Sequence, residues 1–425
     1  MKYLSHALKF LLVFLVFSSF SMPLFAPSRP AAESMMLYGK VTTIDGETYT
    51  GQIRWGDEEA TWGDLFNSEK PDNPYLKYLD RDEVRRDDDD DDNTWGRFSV
   101  IWQDRGRNSW TWNSSSNSHV FACLFGEIKE MRITGRNDVE LTLKNGERME
   151  VGGGSNDVGG KITLFDAEIG KMELEWDRLD KIEFMQMPAG QKVQMGDPLY
   201  GVVKTREGTF EGFIQWDEDE AMSDDKLDGD SRNGDLSIPF YNIKSISRGG
   251  RGSDVVLKTG RELYLTGSND VNSENRGIIV KNPEFGRLEV TWREFESIEF
   301  TEPKQATMAY DDFKAPKRIE GTVKTVEGDT FTGLIAYDLD ETYDFEMLDG
   351  KFEDMEYKIP FRLIKSIKPK NFEYANVTLR SGKTLLLGDS QDVNDRNSGI
   401  LIFNDEKDKE PVYVKWKNLD EVTFN

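Results

Sequence analysis

Residues 201–216 read Gly-Val-Val-Lys-Thr-Arg-Glu-Gly-Thr-Phe-Glu-Gly-Phe-Ile-Gln-Trp. Phe210, Gly212, Ile214 and Trp216 stand two apart, so they share one face of an extended strand. Val203 and Thr205 do the same before a turn at Glu207-Gly208, and the stretch predicts a β-hairpin. Gly212 lies mid-strand, where glycine marks a bend or a close backbone approach. A strand bent there predicts a small closed barrel.

The same order stands twice more in the chain. Residues Gly39, Val41, Thr43, Gly46, Tyr49, Gly51, Ile53 and Trp55 precede it, and Gly321, Val323, Thr325, Gly328, Phe331, Gly333, Ile335 and Tyr337 follow it. The turn of the first copy is Asp45-Gly46, a favoured hairpin dipeptide because glycine accepts positive φ. The closing segments also match: Trp176, Leu179, Ile182 and Phe184, then Trp292, Phe295, Ile298 and Phe300, then Trp416, Leu419, Val422 and Phe424. Three tryptophans at one repeated position predict core. Internal repetition of this kind decides architecture. The chain is expected to be all-β, with three tandem repeats over 33–186, 196–302 and 317–425, each of two small barrel-like modules. The second module of the middle repeat is carried by Val255, Leu257, Gly260, Leu263 and Leu265. The spacing of Phe240, Ile243 and Ile246 predicts one helical turn leading into a strand.

The run from Val203 through Gly208, Gly212, Ile214 and Asp217 to Leu227, Ile243 and Ile246 resembles Sm-like small β-barrels. The resemblance covers about 50 residues of each repeat's first half, at the level of fold. It implies a barrel. Ring assembly and RNA binding are family properties, and the charge of this chain opposes the second. Of its 425 residues 79 are acidic and 54 basic, a formal net charge of −25. Such a surface repels phosphate backbones.

Two histidines and one cysteine exclude a Cys/His zinc site and any intramolecular disulfide. Cys123, among Val120, Phe121, Leu124 and Phe125, is expected to be a buried small hydrophobe. Lys2 and Lys9 precede an apolar run from Phe10 to Phe17, with small residues around Ala31 and Ala32. Residues 1–32 therefore read as a cleaved secretory signal, and an uncleaved anchor is the other reading. A periplasmic, cell-surface or extracellular location follows. No later stretch is apolar enough for a transmembrane helix. The Asn113 and Asn376 sequons matter only where the host glycosylates.

The first repeat departs through an insertion near 68–118. It holds six carboxylates, Asp87 to Asp92, then Trp95, Trp102, Trp110 and Trp112 in alternating runs. An extra β-hairpin behind a mobile acidic loop is expected. Its rings offer a ligand-binding face for a polysaccharide or an envelope protein, or else a lid over the first barrel. Two loops carry candidate calcium ligands: Asp270, Asn272 and Asn275, and Asp392, Asn394 and Asn397. The same residue types also cap turns. Acidic runs follow each bent strand at Asp57–Glu59, Asp217–Glu220 and Asp338–Glu341. They read as solvated loops that blunt a sheet edge, or as paired carboxylates of a glycoside hydrolase. No nucleophile triad or phosphate-cradling loop appears. A non-enzymatic exported binding or structural protein is expected first, and a carbohydrate-active hydrolase using acids near the Trp-rich insertion second.

Overall fold

The computed structural model describes residues 32–71, 73–79, 119–153, 157–303 and 308–425. The expected signal and the tryptophans Trp95, Trp102, Trp110 and Trp112 lie outside the described residues. Among the described residues the helical elements are single 3-10 turns of three or four residues. The chain is all-β.

Residues 38–184 form one ten-stranded antiparallel sheet. Its order is His119–Leu124, Leu65–Lys70, Arg148–Gly152, Asp138–Leu143, Ile128–Ile133, Leu179–Phe184, Tyr38–Thr43, Thr48–Trp55, Ile162–Asp166 and Gly170–Leu174. The closing strand Leu179–Phe184 thus lies beside the opening strand Tyr38–Thr43, far from it in sequence. Strand Tyr200–Thr205 likewise sits between Thr209–Trp216 and Phe295–Phe300, and Glu320–Thr325 between Thr330–Tyr337 and Leu419–Phe424. The two halves of the first segment therefore share one sheet, which decides between separate closure and a shared sheet. The large sheets are antiparallel and not closed.

Glycine explains how two strands cross so tightly. Gly51, Gly212 and Gly333 face Gly39, Gly201 and Gly321 across the hairpins. A Cβ on Gly333 would lie 2.1 Å from the Phe403 carbonyl oxygen, and one on Gly212 2.4 Å from that of Lys281. Close backbone approach, of the two roles glycine offered here, is the one observed.

The middle and C-terminal segments are joined in one eighteen-stranded sheet. The joint is strand Gly286–Val290 against Met355–Pro360, with Arg287 opposite Lys358, Leu288 opposite Tyr357, Glu289 opposite Glu356 and Val290 opposite Met355. Lys226–Ser231 and Gly234–Pro239 form a two-stranded sheet of their own.

Core residues follow the alternation. Trp55, Trp216 and Tyr337 are fully buried. Each meets a tryptophan of its closing segment edge-on, with centroids 6.2 Å apart for Trp55–Trp176, 6.2 Å for Trp216–Trp292 and 6.4 Å for Tyr337–Trp416. Cys123 is wholly buried, which raises its thiol far above the ordinary range. The core of residues 35–195 also takes in Met222, Tyr310, Phe313 and Phe345 from later in the chain, so the N-terminal segment packs on both others. Among the described residues no helix is long and apolar enough to cross a membrane.

Candidate functional site

The two loops proposed for calcium turn their side-chain oxygens onto backbone amides, of a neighbouring strand or of the loop itself. Asp270 Oδ2 accepts from the Asp228 amide at 2.6 Å, and Asp392 Oδ2 from the Asp349 amide at 2.6 Å. Asn272 accepts from the Glu274 amide and Asn394 from Arg396. Asn275 and Asn397 accept from Gly277 and Gly399. Asp157 in the N-terminal segment accepts from both nitrogens of Asn67. Their main-chain oxygens are also used: Trp55 and Trp216 donate to the carbonyls of Asp157 and Asp270, each at 2.9 Å, and the Tyr337 hydroxyl donates to that of Asp392 at 2.7 Å. The loops are turn caps that tie the central aromatic to a neighbouring strand. Among the described residues no group of three or more Asp, Glu, His or Cys is placed to hold a metal ion.

The acidic runs are not the solvated loops expected. Each folds back so that the main-chain N–H of Trp55, Trp216 or Tyr337 donates to the main-chain carbonyl of Glu59, Glu220 or Glu341. The fold-back needs left-handed backbone, supplied by Gly56 at φ 57°, by Asp217 and Glu218 at 50° and 64°, and by Asp338 and Leu339 at 47° and 61°. Short polar Asx side chains tolerate that region better than most. The turn buries Glu59, Asp217 and Asp338.

A further acid stands nine residues past each central aromatic: Asp64, Asp225 and Glu346. Each carboxylate accepts from two backbone amides of its own turn. Asp64 takes Ala60 at 2.7 Å and Thr61 at 2.8 Å; Asp225 takes Ala221 at 3.0 Å and Met222 at 2.8 Å; Glu346 takes Thr342 at 2.6 Å and Tyr343 at 2.8 Å. The same carboxylate then receives a cation from another segment. Arg54 reaches Asp225 at 2.7 and 3.1 Å, Lys281 pairs with Asp64, and Lys70 pairs with Glu346 and, at 3.1 Å, with Asp340. Arg362 pairs with the fully buried Glu127. The N-terminal segment is therefore ion-paired to both of the others. Close by, Leu76–Tyr78 lies where the chain enters the undescribed stretch 80–118. Tyr75 and Tyr78 pack on Phe403 with centroids 6.2 and 5.2 Å away, and Asn73 donates to the Leu339 carbonyl at 2.9 Å.

Between the N-terminal and middle segments the carboxylates outnumber their cations. Burial, reinforced by Asp219 and Asp157 and opposed by Arg276, pushes the Glu58 carboxyl up to about 7. Burial and Glu289, opposed by Arg287 and Arg276, push Glu218 up to about 7. Burial raises Asp157 to about 6 against its bonds from Asn67, and burial with Asp270 and Asp217 raises Glu220 to about 9. Asp64 goes the other way: burial pushes it up, but Lys281 and the two turn amides together hold it below the ordinary range. Raised acids are what a hydrolase would use; Glu58 and Glu218 act on each other's segment across the junction, whereas the acids that raise Glu220 belong to its own segment. Two surface depressions among the described residues are lined elsewhere: one by Phe210, Phe285 and Lys383, the other by Arg251, Glu274 and Trp292.

The paired acids at the ninth position escaped sequence reading although their spacing repeats. Their cations do not repeat. Gln215 and Ala336 stand where Arg54 does, Phe165 and Phe403 where Lys281 does, and Ser231 and Phe352 where Lys70 does.

No family model matches the chain, and no curated protein matches it. A solved structure titled as a streptogramin B lyase is similar over 68% of this chain and 87% of that one, at 12% identity and a TM-score of 0.11. That likeness is too slight to transfer fold or activity.

Proposed function

We propose that this is an exported, non-enzymatic binding or structural protein of three tandem units, spanning 33–186, 196–302 and 317–425. It works in the periplasm, at the cell surface or outside the cell. The observation that carries the reading is the use made of the acids. In each unit the carboxylates at two equivalent positions are so used: Asp64, Asp225 and Glu346 close their turns and receive cations from another unit, and Asp157, Asp270 and Asp392 accept from a neighbouring strand's amide, so both sets are committed to holding the molecule together. The like strand orders and the three equivalent aromatic-to-carbonyl bonds support the three-unit division. The Trp-rich insertion near 68–118 is then the distinctive feature, and tryptophan faces suit sugars or a protein surface. Similar units displayed together also raise avidity for a repetitive ligand.

The test is a screen against polysaccharides and envelope extracts, run beside a glycoside turnover assay. It uses the whole protein and a form with 80–118 replaced by a short Gly-Ser linker. Retention of a ligand without turnover, lost in the shortened form at unchanged melting temperature, is the expected result. Turnover lost with the insertion would establish a carbohydrate-active hydrolase in its place.

A further inference from the structure

The joint between the middle and C-terminal segments has equivalents elsewhere in the chain that are left open. Strand Gly234–Pro239 holds the position in the middle segment that Met355–Pro360 holds in the last. Gly170–Leu174 holds the position in the first segment that Gly286–Val290 holds in the middle one. In the joint itself Met355, Tyr357, Lys358 and Leu288 are buried. At the open edges Gly234, Asp235, Ser237, Lys171 and Glu173 are exposed, and Leu236 and Met172 are half-buried. A Cβ on Gly286 would meet the Lys358 carbonyl oxygen at 2.5 Å, whereas one on Gly170 would meet nothing within 4 Å. Both open strands pair with one neighbour only among the described residues. Other edge strands among the described residues suit pairing less: Glu262–Leu265 is four residues long, and the Thr266 that follows it already bridges to Asp230. Val412–Val414 is three residues long and follows Pro411, which has no N–H to give, and Phe121 of His119–Leu124 already packs on Phe345.

We propose that the protein self-associates by pairing strand Gly234–Pro239 of one copy with Gly170–Leu174 of a second, repeating between molecules the joint it makes within itself. An unpaired strand edge is a template for such addition. The register of the internal joint sets Gly234 opposite Leu174, Asp235 opposite Glu173 and Leu236 opposite Met172. Two different edges meet, so the contact is head-to-tail and leaves one edge open at each end of any assembly. Because the inference concerns copies of this chain alone, it holds for whatever ligand the insertion takes.

The amides that matter can be identified. Residues across a two-residue turn exchange hydrogen bonds, and the direction alternates from there. Gly234 pairs with Ser231 across such a turn, so the Asp235 amide points outward, as the Glu173 amide does by equivalence with Glu289. Proline at either position removes a donor of the joint and leaves the hairpin's own ladder intact.

Sedimentation velocity on the full chain over a hundredfold concentration range should show mass rising with concentration. Asp235→Pro and Glu173→Pro should each remain monomeric, with circular dichroism and melting unchanged. Mixed one to one, they should form a dimer and nothing larger, because only one competent edge of each kind remains. A second variant keeps the outcome readable if proline disturbs the fold. Glu173→Lys sets an ammonium opposite Asp235 and should tighten association about threefold. A monomeric wild type across the whole range, or association indifferent to Glu173→Lys and to either proline, would overturn the proposal.

Discussion

Asp64 combines three duties in one carboxylate: it closes its own turn, neutralises Lys281 and docks the first segment on the second. It is almost fully buried, with 2% of its surface exposed. Removing one partner of such a pair leaves the other charge uncompensated, which costs about 3–5 kcal/mol. Asp64→Ala should therefore lower stability by about 3 kcal/mol or more in urea titration, and Lys281→Ala should restore part of that loss in the double variant. The raised acids give a pH dependence of definite sign. Glu58 and Glu218 bind their proton more tightly folded, at about 7, than unfolded, at about 4.3. The folded state then carries the extra protons between those values, so stability is greatest below the unfolded value and falls as pH rises towards 7. Asp64 acts oppositely, but its contribution is lost only as pH falls below about 4. Melting temperature should be higher at pH 5.5 than at pH 7.5, and Glu58→Gln should flatten the difference. These residues were only half legible. The spacing of Asp64, Asp225 and Glu346 repeats in the sequence, whereas Arg54, Lys70 and Lys281 occupy positions where the copies differ. Comparison of like stretches of sequence finds what they share, and the bonds between segments are made by what they do not share.

At the scale of the strand, the alternation was legible, whereas how the strands close on one another was left open by the sequence. Val203, Ile214 and Trp216 face inward as their period requires, and the 3-10 turn Phe240–Asn242 stands where the spacing of three placed a helical turn. The mid-strand glycines were seen, but a single strand cannot say whether its glycine bends or receives a neighbour. That depended on Phe165, Lys281 and Phe403, which lie about 70 or more residues further along. The consequence is measurable. Gly333→Ala drives a Cβ into a carbonyl and should destabilise by about 1–3 kcal/mol, as overpacking does. Gly46→Ala meets nothing, but its φ of 82° is left-handed, so its loss should be about 1 kcal/mol. A chemical denaturation series on the two variants distinguishes crowding from backbone strain.

Across the whole molecule the segments are fastened in two different ways. The middle and C-terminal segments share a sheet, through backbone bonds that side-chain changes do not remove. The first segment is held by Arg54, Lys70, Lys281 and Arg362 and by the packing of Tyr310 and Phe313 on its core. Arg54→Ala with Lys70→Ala should split one denaturation transition into two, with residues 38–184 exchanging amide hydrogens ahead of the rest. Unchanged single-step unfolding would mean that apolar packing alone suffices.

The clamp of Tyr75 and Tyr78 on Phe403 bears on how the protein is made. A chain emerging from the ribosome or a translocon presents residues 75–79 more than 300 residues before their seat exists. Until then Tyr75, Leu76, Tyr78 and Leu79 lack the apolar surface around Phe403 on which they pack. The root of the insertion is therefore fixed only once the strand that carries Phe403 has been made and folded.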